Sequence, residues 1–103
     1  MPRLLWTSQN QSYSYALEMN GEASIGRGPE NQVQLDDVNS SRRHCAVVPH
    51  QGGFAVVDLD SRNGTLVNGE LVELRSLKSG DRIEICDQVI VYEDDPIPEE
   101  ADG

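Results

Sequence analysis

Arg82-Ile83-Glu84-Ile85-Cys86-Asp87-Gln88-Val89-Ile90-Val91-Tyr92 carries the clearest strand signal in the chain. Two runs rich in β-branched and aromatic residues flank a short break, and Arg82 to Ile85 alternates polar with apolar, the period of a strand with one buried face. A helix needs apolar residues at i, i+3, i+4 and i+7, and no window of the chain supplies that stripe over three turns. The same grammar repeats outward from this hairpin. His44 to Val48 and Phe54 to Leu59 pair across Pro49-His50-Gln51-Gly52-Gly53, which puts His50 in a turn. Leu4 to Thr7 and Tyr13 to Leu17 pair across the polar stretch Ser8 to Ser12, and Asn20-Gly21 marks a tight turn before Ala23-Ser24-Ile25. Short strands broken by Gly, Asn or Pro roughly every ten residues predict an all-β antiparallel sandwich or barrel. Loops of such a fold gather at its ends, where residues distant in sequence meet.

With 103 residues the chain has room for one core. A hydrophobic content of 37% and a charged content of 25% belong to a globular domain rather than a disordered chain. No run approaches the roughly 18 apolar residues of a membrane span, and no basic region followed by an apolar core opens the chain. These features predict an intracellular, cytoplasmic location away from membranes. Cys45 and Cys86 fit neither a disulfide framework nor a Cys-x-x-Cys site, and both read as buried structural thiols. The net charge of -10 is uneven: Glu93, Asp94, Asp95, Glu99, Glu100 and Asp102 supply -6 of it with no base among them. We therefore expect a folded domain over 1–92 and an acidic linker or disordered tail over 93–103, as at the front of a longer protein.

Against that acidity, Arg27, Arg42, Arg43 and Arg62, four of the eight Lys+Arg residues, fall in three loop-like segments. An acidic chain that keeps arginines for loops points to an anion there. Arginine suits phosphate because its planar fork offers two parallel charge-assisted donors. Nucleic acid is excluded as a partner, since binding its backbone needs a broad basic face. Gly26-Arg27-Gly28 lacks the further glycine of a dinucleotide fingerprint, and Pro29 disfavours the helix that would follow. Ser41 sits among loop amides that form an anion-binding concavity; a turn residue bonded to its own backbone is the alternative, and the loop alone leaves both open. His44 and Cys45 are adjacent on a strand and face opposite ways, so they form no nucleophilic dyad, and His44 reads as an anchor for the Ser41 loop. Asn63-Gly64 and Asn68-Gly69 are turn signals, and the Asn63 amide carries both a donor and an acceptor with which to read a peptide main chain. No paired carboxylates, metal-ligand cluster or nucleophile with a base occurs, so no catalytic residue, metal or cofactor is expected.

Gly26-Arg27, Ser41-x-x-His44, Asp58-Leu59-x-Ser61-x-Asn63-Gly64-Thr65-x-Val67-Asn68-Gly69 and Leu77-x-x-Gly80-Asp81-x-Ile83 together resemble a forkhead-associated (FHA) domain, in order and spacing, from Leu4 to Tyr92. The resemblance implies an eleven-stranded sandwich of two antiparallel-rich sheets, with the ligand loops at one end and no catalysis. It implies that Arg27, Ser41 and Arg42 contact the phosphate of a phosphothreonine, that Arg62 lies at the phosphate edge, and that Asn63 bonds the peptide main chain. Gly26, His44, Gly64, Asn68 and Gly69 match positions that keep loops in shape. Asn39, two before the serine, matches a position that influences the residue accepted three after the phosphothreonine; a neutral amide forms no ion pair there, so no strong demand for an acid is expected. The only threonines are Thr7 and Thr65, in a strand and in the motif, so the ligand is expected from another chain or from a segment beyond these residues. A phosphothreonine-dependent module of Ser/Thr-kinase signalling is the leading reading. A phosphate-independent interaction or oligomerisation domain that uses a sheet face is the second.

Overall fold

The structure, a computed structural model, describes residues 2–94. In chain order the strands are β1 (Pro2–Ser8), β2 (Gln11–Ala16), β3 (Ala23–Gly26), β4 (Val33–Gln34), β5 (Cys45–His50), β6 (Gly53–Asp58), β7 (Thr65–Val67), β8 (Glu70–Val72), β9 (Leu74–Ser76), β10 (Arg82–Ile85) and β11 (Gln88–Asp94). One sheet has the order β2-β1-β11-β10-β7-β8 and the other β4-β3-β5-β6-β9. The β3–β4 pairing is parallel and the other pairings are antiparallel, so the eleven-stranded, antiparallel-rich sandwich is found as expected. No helix among the described residues is long and apolar enough to cross a membrane.

Alternation builds the core. In β10, Ile83 and Ile85 are fully buried while Arg82 is exposed; in β11, Ile90 and Tyr92 turn inward. They meet Leu4 from β1 and, from the opposite sheet, Ile25, Val47, Phe54 and Val56. Phe54 and Tyr92 pack at tilted rings with centroids 6.4 Å apart, a geometry favoured by the ring quadrupoles.

The hairpin connections are tighter than the polar stretches in the sequence suggest. Gln9 (φ 52°) and Asn10 (φ 67°) form a two-residue left-handed turn, as do Gln51 (φ 49°) and Gly52 (φ 79°), and such turns match the twist of the strands they join. Pro49 and His50 consequently lie inside β5, paired with Phe54 and Gly53, so His50 is half-buried in a strand and not in a turn. Pro49 is tolerated because β3 begins at Ala23, opposite Val47, and among the described residues no neighbouring strand requires its missing N–H. Cys86 stands at φ 55° in the turn between β10 and β11 and is exposed, which corrects the expectation of two buried thiols.

The acidic end is also corrected in part. Glu93 and Asp94 belong to β11, opposite Arg3 and Pro2, and Arg3 forms an ion pair with Glu93. The strand therefore runs two residues past the expected boundary at 92, and the remainder of the expected tail, 95–103, lies outside the described residues.

Candidate functional site

The functional loops emerge where β3 ends, where β5 begins and where β6 gives way to β7, all at one end of the sandwich. β3 closes at Gly26, and beyond it the chain continues to pair with the segment entering β5: Arg27 N–H donates to Ser41 O at 3.0 Å and Gly28 N–H to Arg42 O at 3.0 Å. This backbone clasp sets Arg27 beside Ser41. The Arg27 side chain donates from Nε to Ser40 O at 3.2 Å, which fixes the stem and leaves the terminal nitrogens of an exposed guanidinium directed elsewhere.

Asn31 locks the clasp from beneath. It is buried, and its Nδ2 donates to Gly28 O at 2.7 Å and to Arg42 O at 2.8 Å. Sequence reasoning passed over it; its only signal was an amide two residues after Pro29 in a glycine-rich turn.

Ser41 has three commitments that leave one group spare. Its carbonyl accepts from Arg27, its N–H donates to His44 Nδ1 at 3.1 Å, and its Oγ accepts from Arg62 N–H at 3.0 Å. The hydroxyl proton remains available for an acceptor outside, so the reading of Ser41 as merely a self-bonded turn residue is set aside. His44, fully buried, accepts at Nδ1 from Ser41 and donates from Nε2 to Gly64 O at 2.7 Å. That is the neutral tautomer with its proton on Nε2. The ring is a two-point bridge between the Ser41 and Asn63 loops.

The second loop is shaped by Asp58. Its carboxylate accepts from Ser61 N–H (3.0 Å), Ser61 Oγ (2.5 Å) and Thr65 Oγ1 (2.7 Å), and Ser61 Oγ in turn accepts from Gly64 N–H at 3.0 Å. Burial works to raise the Asp58 pKa, but these donors outweigh it and hold the carboxyl below its ordinary value. A depressed acid adds stability above the unfolded pKa, about 3.9, and loses it as pH falls through the lower folded value. Thermal melts should therefore show Asp58→Asn losing less stability than the parent between pH 7 and about pH 2; parallel losses would refute this role for Asp58.

Asn63 is exposed and donates from Nδ2 to Asn39 O at 2.6 Å, with Cys86 Sγ 3.7 Å away. Its Oδ1 is thereby the group able to accept a peptide N–H. Asp37 accepts from Asn39 N–H and from Asp87 N–H, and these backbone donors lower its pKa. Asn39 is thus tied through its backbone N–H to the Asp37 carboxylate and through its carbonyl to Asn63. Arg42 and Arg62 are exposed, and Arg42 lies 3.3 Å from Glu30 in a surface pair that a stronger anion can displace.

The structure thus gathers Arg27, Ser41, Arg42, Arg62, Asn63 and Asn39 at one end, with Gly26, His44 and Gly64 beneath them. Asn68 and Gly69 are elsewhere. They form the β7–β8 turn at the far end, where Asn68 Nδ2 donates to Asp81 Oδ1 and Oδ1 accepts from Arg82 N–H, both at 3.0 Å. An apolar recess among Pro2, Leu17, Met19 and Phe54 is also at that far end. The end that carries Arg27, Ser41 and Asn63 is an arc of loops, a shape suited to an extended ligand laid across it.

The two thiols differ sharply. Burial pushes the Cys45 thiol up to about 12. Cys86 is exposed, though partial burial and the charge of Asp37 raise it too. Alkylation of the native protein at about pH 8 should label one thiol per chain, Cys86, and two after denaturation. Labelling of Cys45 in the native state would contradict the packing. Among the described residues no group of three or more His, Cys, Asp or Glu side chains gathers as a metal site.

Known proteins share this fold. The family model for the FHA domain matches residues 23–86. The oxoglutarate dehydrogenase inhibitor of Corynebacterium diphtheriae is 44% identical over 73 residues, covering 71% of this chain and 51% of that protein. The glycogen accumulation regulator GarA of Mycobacterium tuberculosis is 41% identical over 80 residues, covering 78% and 49%. The chain spans about half the length of these curated relatives. Among solved structures, the FhaA FHA domain complexed with the intracellular domain of Rv3910 superposes with a TM-score of 0.81 at 31% identity, over 90% of this chain and all of that one. A structure from an analysis of phosphothreonine-dependent FHA domain interactions gives 0.79 at 30% identity, over 93% and 98%.

Proposed function

The chain belongs to the FHA domain family, and from that premise we propose that it is a phosphothreonine-dependent peptide-binding module of Ser/Thr-kinase signalling, working inside the cell by binding and without catalysis. The observation that carries this reading is the Ser41 hydroxyl. Its oxygen is engaged by Arg62 N–H, its proton is uncommitted, and the Arg27 guanidinium is held at the carbonyl of the preceding residue, Ser40. One hydroxyl donor and one planar cation are the complement of a phosphate dianion. Arg42 and Arg62 add charge at the rim, and Asn63 Oδ1 accepts a main-chain N–H of the ligand. Because the remainder of the chain is acidic, selectivity for phosphate comes from this geometry rather than from the overall field.

The ligand comes from another protein, or from a segment beyond the residues described, since Thr7 lies in β1 and Thr65 is buried. Asn39 has no charge to offer the third residue after the phosphothreonine, and the neighbouring Asp37 carboxylate discourages an acid there. Titration of a phosphothreonine peptide library against the protein and Arg27→Ala tests the proposal. Each hydrogen bond to a charged group is worth about 1.5 to 3 kcal/mol, so Arg27→Ala should weaken binding roughly ten- to a hundredfold or more with the melting temperature little changed. Equal affinity for phosphorylated and unphosphorylated peptides would reject it.

A further inference from the structure

Among the described residues the two sheets have four edges, and three are short: β8 and β9 have three residues each, with Glu70 in one and Arg75 in the other, and β4 has two. The fourth, β2, has six, Gln11-Ser12-Tyr13-Ser14-Tyr15-Ala16, with no charge, proline or glycine. Five of the six are exposed. Soluble proteins ordinarily blunt such an edge with charge, proline or a bulge, because its free N–H and C=O groups template another strand. In a chain of net charge -10 this uncharged edge is an exception.

The ladder shows which groups are free. Leu17 N–H donates to Pro2 O at 2.9 Å, so alternation along the β1–β2 register makes Tyr15 and Tyr13 the residues that bond Leu4 and Trp6. Ser12, Ser14 and Ala16 then point their N–H and C=O groups away from β1. This set is symmetric about Ser14. The geometry points to a second copy of this chain as the occupant, docked antiparallel so that β2 pairs with β2 about a two-fold axis at Ser14.

In that register Ser14 faces Ser14 of the second copy, and Ser12 faces Ala16, in pairs that exchange both hydrogen bonds. Tyr13 then lies opposite Tyr15 in the closer, non-bonded pairs, where aromatic side chains on one sheet face pack well. Small residues meet small and aromatic meets aromatic, and no like charges are opposed. The two six-stranded sheets become one continuous sheet. The β1–β2 turn lies at the ligand end, tied to Asp36 by Ser8 and Gln9, so the dimer presents its two peptide sites in opposite directions and covers neither.

Sedimentation equilibrium of the 103-residue chain tests this, over about 10 µM to 1 mM, the range expected of an interface smaller than a standard one. The expected result is a mass rising from 11.4 kDa toward twice that value. Association should tighten from about 0.05 to 0.5 M salt, because salt screens the repulsion between acidic copies and the interface has no ion pairs to lose. Ser14→Pro removes an outward donor without touching the β1 ladder, and Ser14→Lys opposes two like charges at the axis; both should stay monomeric with melting curves close to the parent's. A constant 11.4 kDa mass for the parent would overturn the proposal, and so would a dimer that survives Ser14→Lys. Monomers that protect the β2 amides from exchange only when an extended foreign peptide is added would assign the edge to a partner strand instead.

Discussion

Gly26→Ala is expected to destabilise the protein by about 3 kcal/mol or more, a fall in melting temperature of roughly 12 to 20 °C. A Cβ at Gly26 would lie 2.3 Å from Arg42 O, 2.8 Å from Arg42 C and 2.9 Å from Arg43 Cα. All three are backbone atoms, so no rotamer change relieves the clash, and either the main chain separates or the clasp opens. Leu35 N–H bonds Gly26 O at 2.7 Å on one side, and His44 N–H bonds Ile25 O at 2.8 Å on the other, so neither segment has freedom to retreat. Because the clasp sets Arg27 beside Ser41, phosphopeptide affinity should fall along with stability. Gly52→Ala is the control: Gly52 has a positive φ but open space around it, so its substitution should cost only about 1 kcal/mol of backbone strain. A Gly26→Ala protein that melts within about 3 °C of the parent would show that the close approach is not needed.

His44→Ala should have a comparable effect on stability, about 3 to 5 kcal/mol, for a different reason. The imidazole is fully buried, so its removal leaves a cavity and strands two main-chain groups, Ser41 N–H and Gly64 O. Binding should suffer beyond the loss of folded protein, because the two loops that present Ser41 and Asn63 are no longer tied. Titration at a temperature where His44→Ala is still folded should show at least a tenfold loss of phosphopeptide affinity. The effects of His44→Ala and Ser41→Ala should also be less than additive, as expected for residues acting through one contact network. Full affinity in the folded variant would reduce His44 to a core residue.

What the sequence made legible follows from how local the governing physics is. Ile83 and Ile85 against Ile90 and Tyr92 read as a hairpin because alternation is a nearest-neighbour property, and the loop motif read as a site because its residues sit at fixed spacings. The parallel pairing of Val33-Gln34 with β3 was invisible, since two residues carry no period. The short β8 and β9 went unmarked for the same reason. Cys86 looked like a core thiol, yet the turn seats it at positive φ on the surface. His50 looked like a turn residue because glycines follow it, but the two-residue turn at Gln51-Gly52 extended β5 to include it. At the site, residue types were readable, whereas hydrogen-bond partners were not: the Asn31 lock, and the engagement of Asn63 Nδ2 by Asn39, depend on segments that meet only after the sheets form. Asn68-Gly69 shares the motif's sequence with Asn63-Gly64 but lies at the other end of β7, because a three-residue strand carries it across the sandwich.

The pairing of Pro2 with Asp94 has a consequence for how such a module is wired into larger assemblies. The polypeptide enters and leaves the sandwich side by side, at the pole opposite the Arg27 and Ser41 loops. Pro2 and Asp94 therefore offer two attachment points away from those loops, and a fusion made at either one starts from the opposite pole. A domain plumbed in this way can be spliced between other domains, or hung at the end of one, without reorienting its recognition surface.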